Sequence, residues 1–452
     1  MTKKLILITR NFPPSNIVGA LRPFRLVKYA GGEGWSTVVF TFRPEETWAL
    51  DSGLLKELSP DTEIHYVDRP EISPERLGTA IGGGEPASIG GGKGGRIVER
   101  KVPDPIRKWT ARSFGMDPDI FWAPTLARTV LKKLDPSDRN VLVTTSPPHS
   151  IHAAGLIVAR TRKIPWVVDF RDPWDQYPST GRYELRHPIP RLLERTILKT
   201  ADTVISTTET NTRILRERHP ILSPGKFFTV TNTFDARMVE VPAHGDPDHF
   251  VISYTGIFYS EKDPYTFFRA LRSWFDAMRP EARERMERLL RVKLIGTPQG
   301  GTRGIVSGLG LDSVVRFVDR VPHPDAIRLT KQSDLVLVSI GLGHRTRPGW
   351  LPSKLFEYLG CGVPILAIGR EGEMMETIRK TNSGYVITSE DHTAVHRILE
   401  EEIRRKFDGG TPRSEGRFTF TGIEEYEERN VFRRMVRILD DLAGGISDAS
   451  PA

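Results

Sequence analysis

Residues 348–369 read PGWLPSKLFEYLGCGVPILAIG, from Pro348 to Gly369, and the rest of the chain is best read outward from them. The stretch opens on a Gly/Pro loop and runs into a short helix expected over Ser353 to Leu359. Gly360 and Gly362 are expected to stop that helix, and Val363 to Ile368 reads as a buried strand. Loop, helix start and parallel strand in this order suit a phosphate held at a helix N-terminus. The first-turn N–H groups have no partners inside the helix, and the macrodipole favours an anion there. Ser353 is the expected N-cap, and Lys354 adds a full positive charge beside it. Glu357 lies one turn on, on the same face, where a carboxylate can accept hydrogen bonds from a ribose diol. An ordinary capped helix with a solvated Lys and Glu has the same local spelling, so both readings stand on these residues alone.

At 452 residues the chain exceeds one ordinary core, and two or three domains are expected. With 38% hydrophobic and 27% charged residues it reads as a soluble globular protein. The single cysteine, Cys361, excludes an intramolecular disulfide framework and fits a reducing, cytoplasmic compartment. The apolar run after the first lysines is too short for a secretory signal and is expected as a first strand. No apolar run approaches the length of a membrane span. The net charge of +8 is spread among acidic residues, with no zinc spacing or recognition-helix pattern beside it. A nucleotide phosphate or an anionic membrane surface therefore explains the balance better than nucleic acid does.

Leu5 to Thr9 is a strand, followed by the loop Asn11 to Ser15, then Gly19, then a helical segment from Ala20 to Tyr29 and a strand from Ser36 to Phe42. Strand, Gly-containing loop, helix and strand make the first unit of a doubly wound α/β domain. Residues 82–95 form a Gly-rich, low-complexity loop, and Asp117 to Leu134 recovers helical periodicity. Val141 to Thr145 ends in Ser146-Pro147-Pro148-His149, and Pro165 to Phe170 ends in Arg171-Asp172-Pro173-Trp174. Ligands of open α/β sheets gather at carboxyl ends of strands, so both loops are candidate site walls. Further strands are expected over Ala201–Ser206 and Lys226–Thr231. Residues 240–249 read as a linker, and Phe250 to Thr255 restarts the pattern. In the second half strands are expected over Val292–Gly296, Val314–Val318 and Asp334–Ile340, with a charged helix over Arg279–Arg291. The expected domains are 1–239 and 250–422, with a last helix over 423–444. Asp117-Pro118-Asp119 and Asp246-Pro247-Asp248 have the spacing of a metal clasp but sit in loop and linker context, so no metal is expected.

Pro352, Lys354, Leu355, Phe356, Glu357, Tyr358, Leu359, Gly362, Pro364, Ile365 and Leu366 match a P-x-K-L-F-E-Y-L-x-x-G-x-P-I-L pattern. In this the chain resembles the family 4-like glycosyltransferases of GT-B fold. The S-x-P-H and D-F-R-D-P-W segments of that branch are complete here as well. The resemblance implies two Rossmann-like domains facing across a cleft, with the C-terminal helix crossing back to the first. It implies Gly19, Gly256, Ser353, Lys354, Leu355 and Glu357 on the donor. His149, Arg171 and Asp172 are implied in catalysis, with Asp169 and Trp174 on the acceptor side.

Two departures stand out. Tyr254 to Asp263 takes the place of a G-R-x-x-x-E-K-G segment: Gly256, Glu261 and Lys262 match, but Ile257 replaces the Arg and Asp263 the last Gly. Gly349 replaces the first of two glutamates, leaving Glu357. Lys262 is the expected grip on the leaving diphosphate, and Arg345, Arg347 or Arg171 is available to replace the missing Arg.

The resemblance implies a retaining, metal-independent hexosyltransferase that needs no cofactor. Its donor is a UDP-, GDP- or dTDP-linked sugar and its acceptor a hydroxyl, as in polysaccharide or glycolipid biosynthesis. A lipid-linked acceptor places the protein in the cytoplasm, peripheral to the inner face of the membrane. Two other readings remain: a sugar-nucleotide epimerase on the same fold, and a non-catalytic nucleotide-sugar-binding partner in a glycan-assembly complex.

Overall fold

The computed structural model describes residues 2–15, 17–44, 50–68, 116–174, 188–242, 244–256, 265–297, 301–342, 349–408 and 417–445. Residues 82–95, Lys262, Arg345 and Arg347 lie outside them. The chain divides into two compact units. One comprises Met1–Thr207, Asn211–Val230 and Phe432–Ala452, and the other Thr208–Thr210 and Thr231–Val431. Residues 231–249 therefore cluster with the second unit.

The first unit carries β1 (Lys3–Thr9), β2 (Ser36–Phe42), β3 (Glu63–Val67), β4 (Arg139–Ser146), β5 (Trp166–Phe170), β6 (Thr203–Ser206) and β7 (Phe227–Thr229). They form one sheet in the order β3-β2-β1-β4-β5-β6-β7. Every pairing is parallel, with Leu5 opposite Thr37 on one side and Val141 on the other. The order reverses between β1 and β4, which makes that point the topological switch of a doubly wound sheet. Helix α1 (Val18–Gly32) follows β1, α2 (Ala123–Lys133) precedes β4, α3 (Ile151–Arg162) joins β4 to β5, and α4 (Pro188–Thr200) precedes β6. One sheet face, with Ile6, Phe40, Leu142 and Val168, packs under Leu126 and Val130 of α2, Val158 of α3 and Ile197 of α4. Each such side chain contributes about 1.5–3 kcal/mol on burial. Gly155 lets α3 lie close on the sheet, since a Cβ there would come within 2.5 Å of the Thr144 methyl and 2.8 Å of the Trp166 ring.

The second unit carries β8 (Phe250–Thr255), β9 (Leu290–Ile295), β10 (Val315–Val318), β11 (Leu335–Gly341), β12 (Ile365–Gly369) and β13 (Gly384–Ile387), in the order β10-β9-β8-β11-β12-β13. All pairings are again parallel, and the switch point falls between β8 and β11. Its helices include α5 (Tyr265–Asp276), α6 (His323–Lys331), α7 (Ser353–Cys361) and α8 (His392–Phe407). Helix α7 buries Leu355, Phe356, Tyr358 and Leu359 against Val336, Val338 and Ile365.

The last helix, α9 (Glu428–Gly444), contributes Phe432, Met435, Val436, Leu439 and Ala443 to the interior at helical spacing. From Phe432 onward it belongs to the first unit. Tyr29 stacks on Phe432 at 6.0 Å between ring centroids, and Asp440 accepts from the Lys3 ammonium at 2.8 Å and from the Trp35 indole at 3.2 Å. The helix begins later than expected because Ile423–Tyr426 forms a separate 3-10 turn after Gly422.

Candidate active site

In the first unit the polar residues gather beyond the carboxyl ends of β1, β4 and β5. Gly19, the second residue of α1, gives its carbonyl to the Arg171 guanidinium at 3.0 Å. The Arg171 Nε–H donates to the Ser146 carbonyl at the end of β4. Arg171 thus braces the start of α1 to the loop after β4. A Cβ on Gly19 would come within 3.2 Å of the Asn11 amide and 3.8 Å of the Arg171 guanidinium, so the glycine keeps these two side chains close to the backbone.

His149 is 1% exposed and stacks on Trp174 with ring centroids 5.1 Å apart. Its Nε2 lies 2.7 Å from the Asp172 carbonyl. A carbonyl only accepts, so Nε2 carries the proton and proton transfer at this ring falls to Nδ1. Beneath it, His152 is fully buried, with Nδ1 2.8 Å from the Thr144 hydroxyl. Burial, followed by the charges of His149 and Arg171, holds the His152 pKa well below the ordinary imidazole value, so this ring is neutral at pH 7.

Asp169 and Trp174 occupy interior positions. The Asp169 carboxylate accepts two bonds from the Arg22 guanidinium at 2.9 Å and one from the Thr145 hydroxyl at 2.8 Å. Asp169 and Trp174 are each 1% exposed. Their geometry suits holding the loop after β5 in shape, with Arg171 and Asp172 as the residues it presents.

In the second unit the switch point carries Gly256 after β8 and the start of α7. The helix starts one residue earlier than a serine cap requires: Pro352 is the N-cap and Ser353 the first helical residue, with no side-chain cap bond. The Pro352 φ of −60° and extended ψ of 134° supply the turn into the helix without a capping hydroxyl. Gly362, at φ +64°, ends the helix in the left-handed region, whereas Gly360 lies inside it.

Lys354 projects over the Tyr254 ring, with its ammonium 3.4 Å from the centroid. A Cβ on Gly256 would lie 3.3 Å from that ammonium. Gly256 itself is at φ +109°, and a Cβ on Gly296 would strike its carbonyl at 2.4 Å, so two glycines are needed for this backbone approach. The end of β8 is fixed to α7 by Tyr358, whose buried phenol oxygen accepts from the Thr255 N–H at 3.0 Å and contacts its hydroxyl at 3.1 Å. The cation, the bare backbone of Gly256 and the α7 N-terminus lie in one corner, whose chemistry suits an anion. Leu355 is fully buried in the core, and its N–H bonds to the Pro352 carbonyl at 3.0 Å.

Glu357 stands one turn beyond Lys354 with a partly exposed carboxylate, 3.0 Å from Nε2 of His323 at the start of α6. His323, Arg22 and His152 were not among the residues singled out from sequence. A His at a helix start and an Arg within an amphipathic helix carry no local signature; a buried Asp at a strand end was the available hint for Arg22.

Two doubly wound parallel sheets, each with polar residues collected at its switch point, give the GT-B fold. A glycosyl transferase 4-like domain matches residues 25–233, and a glycosyl transferase-like domain matches residues 269–405. The chain belongs to the glycosyltransferase 4-like family. It is similar to a glycosyltransferase from Rickettsia africae, at 12% identity over 98% of this chain and 99% of that one, with a TM-score of 0.61. It is similar to the Anabaena protein HepE in complex with UDP and glucose, at 13% identity over 97% and 100%, with a TM-score of 0.60. An α,α-trehalose-phosphate synthase (UDP-forming) from Burkholderia vietnamiensis aligns at 12% identity over 99% of each chain, with a TM-score of 0.62. No curated protein sequence matches the chain.

Proposed function

We propose that the protein transfers a hexose from a nucleotide-sugar donor to a hydroxyl acceptor, with retention at the anomeric carbon and without a metal ion. The observation that carries this reading is the corner formed by Lys354, Gly256 and the α7 N-terminus, with Glu357 one turn away. Lys354 and the helix start neutralise the diphosphate, and Glu357 accepts from the ribose hydroxyls. Lys262 joins the grip on the diphosphate. As the bond from the anomeric carbon to the diphosphate oxygen breaks, the acceptor oxygen bonds to that carbon and its proton passes to the departing diphosphate. Charge grows on the leaving group in that step, so fixed cations there lower the barrier. His149, Arg171 and Asp172, beyond β4 and β5, act on the acceptor.

A thermal-shift series with UDP, GDP, ADP, CMP and dTDP tests the donor site, and UDP is the first choice because HepE is bound to it in its crystal structure. No shift with any of them removes the nucleotide reading. Glu357→Gln should weaken the binding nucleotide about ten- to a hundredfold, the value of a charge-assisted hydrogen bond. Turnover should survive EDTA; loss that magnesium restores would overturn the metal-free mechanism. Binding of the nucleotide sugar with no turnover on any acceptor would favour the non-catalytic reading, to which Ile257 and Gly349 contribute. The acceptor we infer is lipid-linked and met at a cytoplasmic membrane surface, as in polysaccharide or glycolipid assembly.

A further inference from the structure

We propose that the outer face of the α2, α3 and α4 layer docks onto an anionic lipid bilayer. This deepens the reading of a lipid-linked acceptor, and it is testable without turnover, so that either can fail alone.

The three helices lie side by side, with α3 packed against α2 on one flank and α4 on the other. Their inner faces are spent on the sheet. Outward, α2 shows Arg128, Lys132 and Lys133, and α3 shows Arg160 and Arg162. On α4 the exposed cations are Arg191, Arg195 and Lys199. Leu192, Arg195 and Lys199 follow one another at spacings of three and four, which puts them on one stripe of the helix.

The sign of the face is uniform. Glu194 is the one carboxylate in the three helices, and it is turned inward at 1% exposure, with Arg218 at 3.3 Å and His219 at 3.0 Å. Among the described residues of the adjoining loops, the exposed acids are Asp135 after α2 and Asp202 after α4. The contrast with the charged helix Pro280–Leu289 of the second unit is direct: there Arg283 pairs with Glu287 and Arg288 with Glu284 along the helix. Cations on the α2–α4 layer have no such carboxylates on their own helices to neutralise them.

Aliphatic side chains stand among these cations. Leu192 is 66% exposed, Ile189 43% and Ile157 37%. Such residues gain nothing from a polyanion in water. A bilayer takes both parts: the aliphatic groups enter the boundary between headgroups and acyl chains, and the Arg and Lys heads stay at the phosphates. A nucleic-acid surface would call for stacking aromatics between the cations, and Phe121, just before α2, is the one exposed aromatic here among the described residues. Among the described residues no helix is long and apolar enough to cross a membrane, so attachment through this face is peripheral.

The experiment is sedimentation of the full chain with vesicles of phosphatidylcholine alone or mixed with phosphatidylglycerol, at low and high salt. Binding is expected only with phosphatidylglycerol and should weaken as salt rises. The triple variant Arg191→Glu, Arg195→Glu, Lys199→Glu should lower partitioning on the order of a hundredfold or more, at about fivefold for each cation removed. Ile189→Ser with Leu192→Ser should weaken binding while leaving the charge intact. A control triple of the same charge change, Arg285→Glu, Arg397→Glu, Arg404→Glu in the second unit, should retain most of it. Thermal unfolding and the nucleotide shift are read on every variant, so loss of folding is seen separately. Wild-type protein that ignores phosphatidylglycerol vesicles at low salt overturns the proposal. Equal losses from the α4 and control triples overturn it in favour of net charge. Preferential capture of a homopolymeric RNA, insensitive to the serine substitutions, overturns it in favour of nucleic acid.

Discussion

Arg22 of α1 and Asp169 at the end of β5 stand 147 positions apart in the chain and meet in a two-bond ion pair, each bond 2.9 Å long. Both side chains are almost fully buried, at 6% and 2% exposure. Removing one partner strands the other charge in the interior. Arg22→Ala is expected to lower unfolding free energy by about 3–5 kcal/mol, and Arg22→Met combined with Asp169→Leu to recover most of that loss. Denaturant midpoints decide it; a loss below about 1 kcal/mol would mean that water reaches the pair.

Lys354→Met keeps the apolar stem of the side chain and deletes the charge beside Gly256. Affinity for the nucleoside diphosphate should fall about ten- to a hundredfold, while the nucleoside without phosphates should bind nearly as before. Titration calorimetry with both ligands separates these. Equal weakening of the two would place Lys354 on the nucleoside rather than the diphosphate.

Two glycine substitutions should move stability in opposite directions. Inside α7 a Cβ on Gly360 would meet the buried Phe234 ring at 2.6 Å. Alanine gains about 1 kcal/mol of helix propensity there but overpacks by about 1–3 kcal/mol, so Gly360→Ala should be net destabilising. Gly304, within the helix Thr302–Gly308, has nothing within 4 Å of its Cβ position. Gly304→Ala should stabilise by about 0.4–1 kcal/mol. Thermal midpoints of the pair would contradict the packing at α7 if both rose.

Asp117 is buried and accepts from the Asp119 N–H at 3.1 Å, the Ser150 N–H at 3.2 Å and the Ser150 hydroxyl. Burial, then the neighbouring Asp119 charge, pushes its pKa from 3.8 up to about 6. The folded chain therefore holds this proton more tightly than the unfolded chain does. Its contribution is full below pH 3.8, falls as pH rises to about 6, and is constant above. A shift of this size corresponds to roughly 3 kcal/mol. Asp117→Asn should flatten the decline between pH 4 and 6, whatever it does to baseline stability. Unfolding midpoints across that range with an unchanged slope would refute the assignment.

Much of the architecture was legible because its signals are local. The buried runs of β1, β4, β8 and β11 and the helix starts between them spell a doubly wound sheet twice. Helix α7 and its polar residues were also legible, since Lys354 and Glu357 share a turn. The half-buried edge strands were missed: β3 and β13 are short, each has one neighbour, and each fully buries a single residue. Ser353 was misplaced as a cap because proline at the N-cap leaves the serine to begin the helix. The place of Asp169 and Trp174 after a strand is visible in sequence, whereas the Arg22 and His149 side chains they meet are distant in the chain.

Helix α9 carries a consequence for synthesis. The first unit begins at the N-terminus, yet its interior is completed by Phe432, Met435, Val436 and Leu439, some four hundred positions later. Domains usually fold in order as they leave the ribosome. Here the earlier unit must wait with an apolar face open until the later one has emerged. A chain released before residue 432 would leave that face open and be a target for proteases even with all seven strands of its first sheet in place.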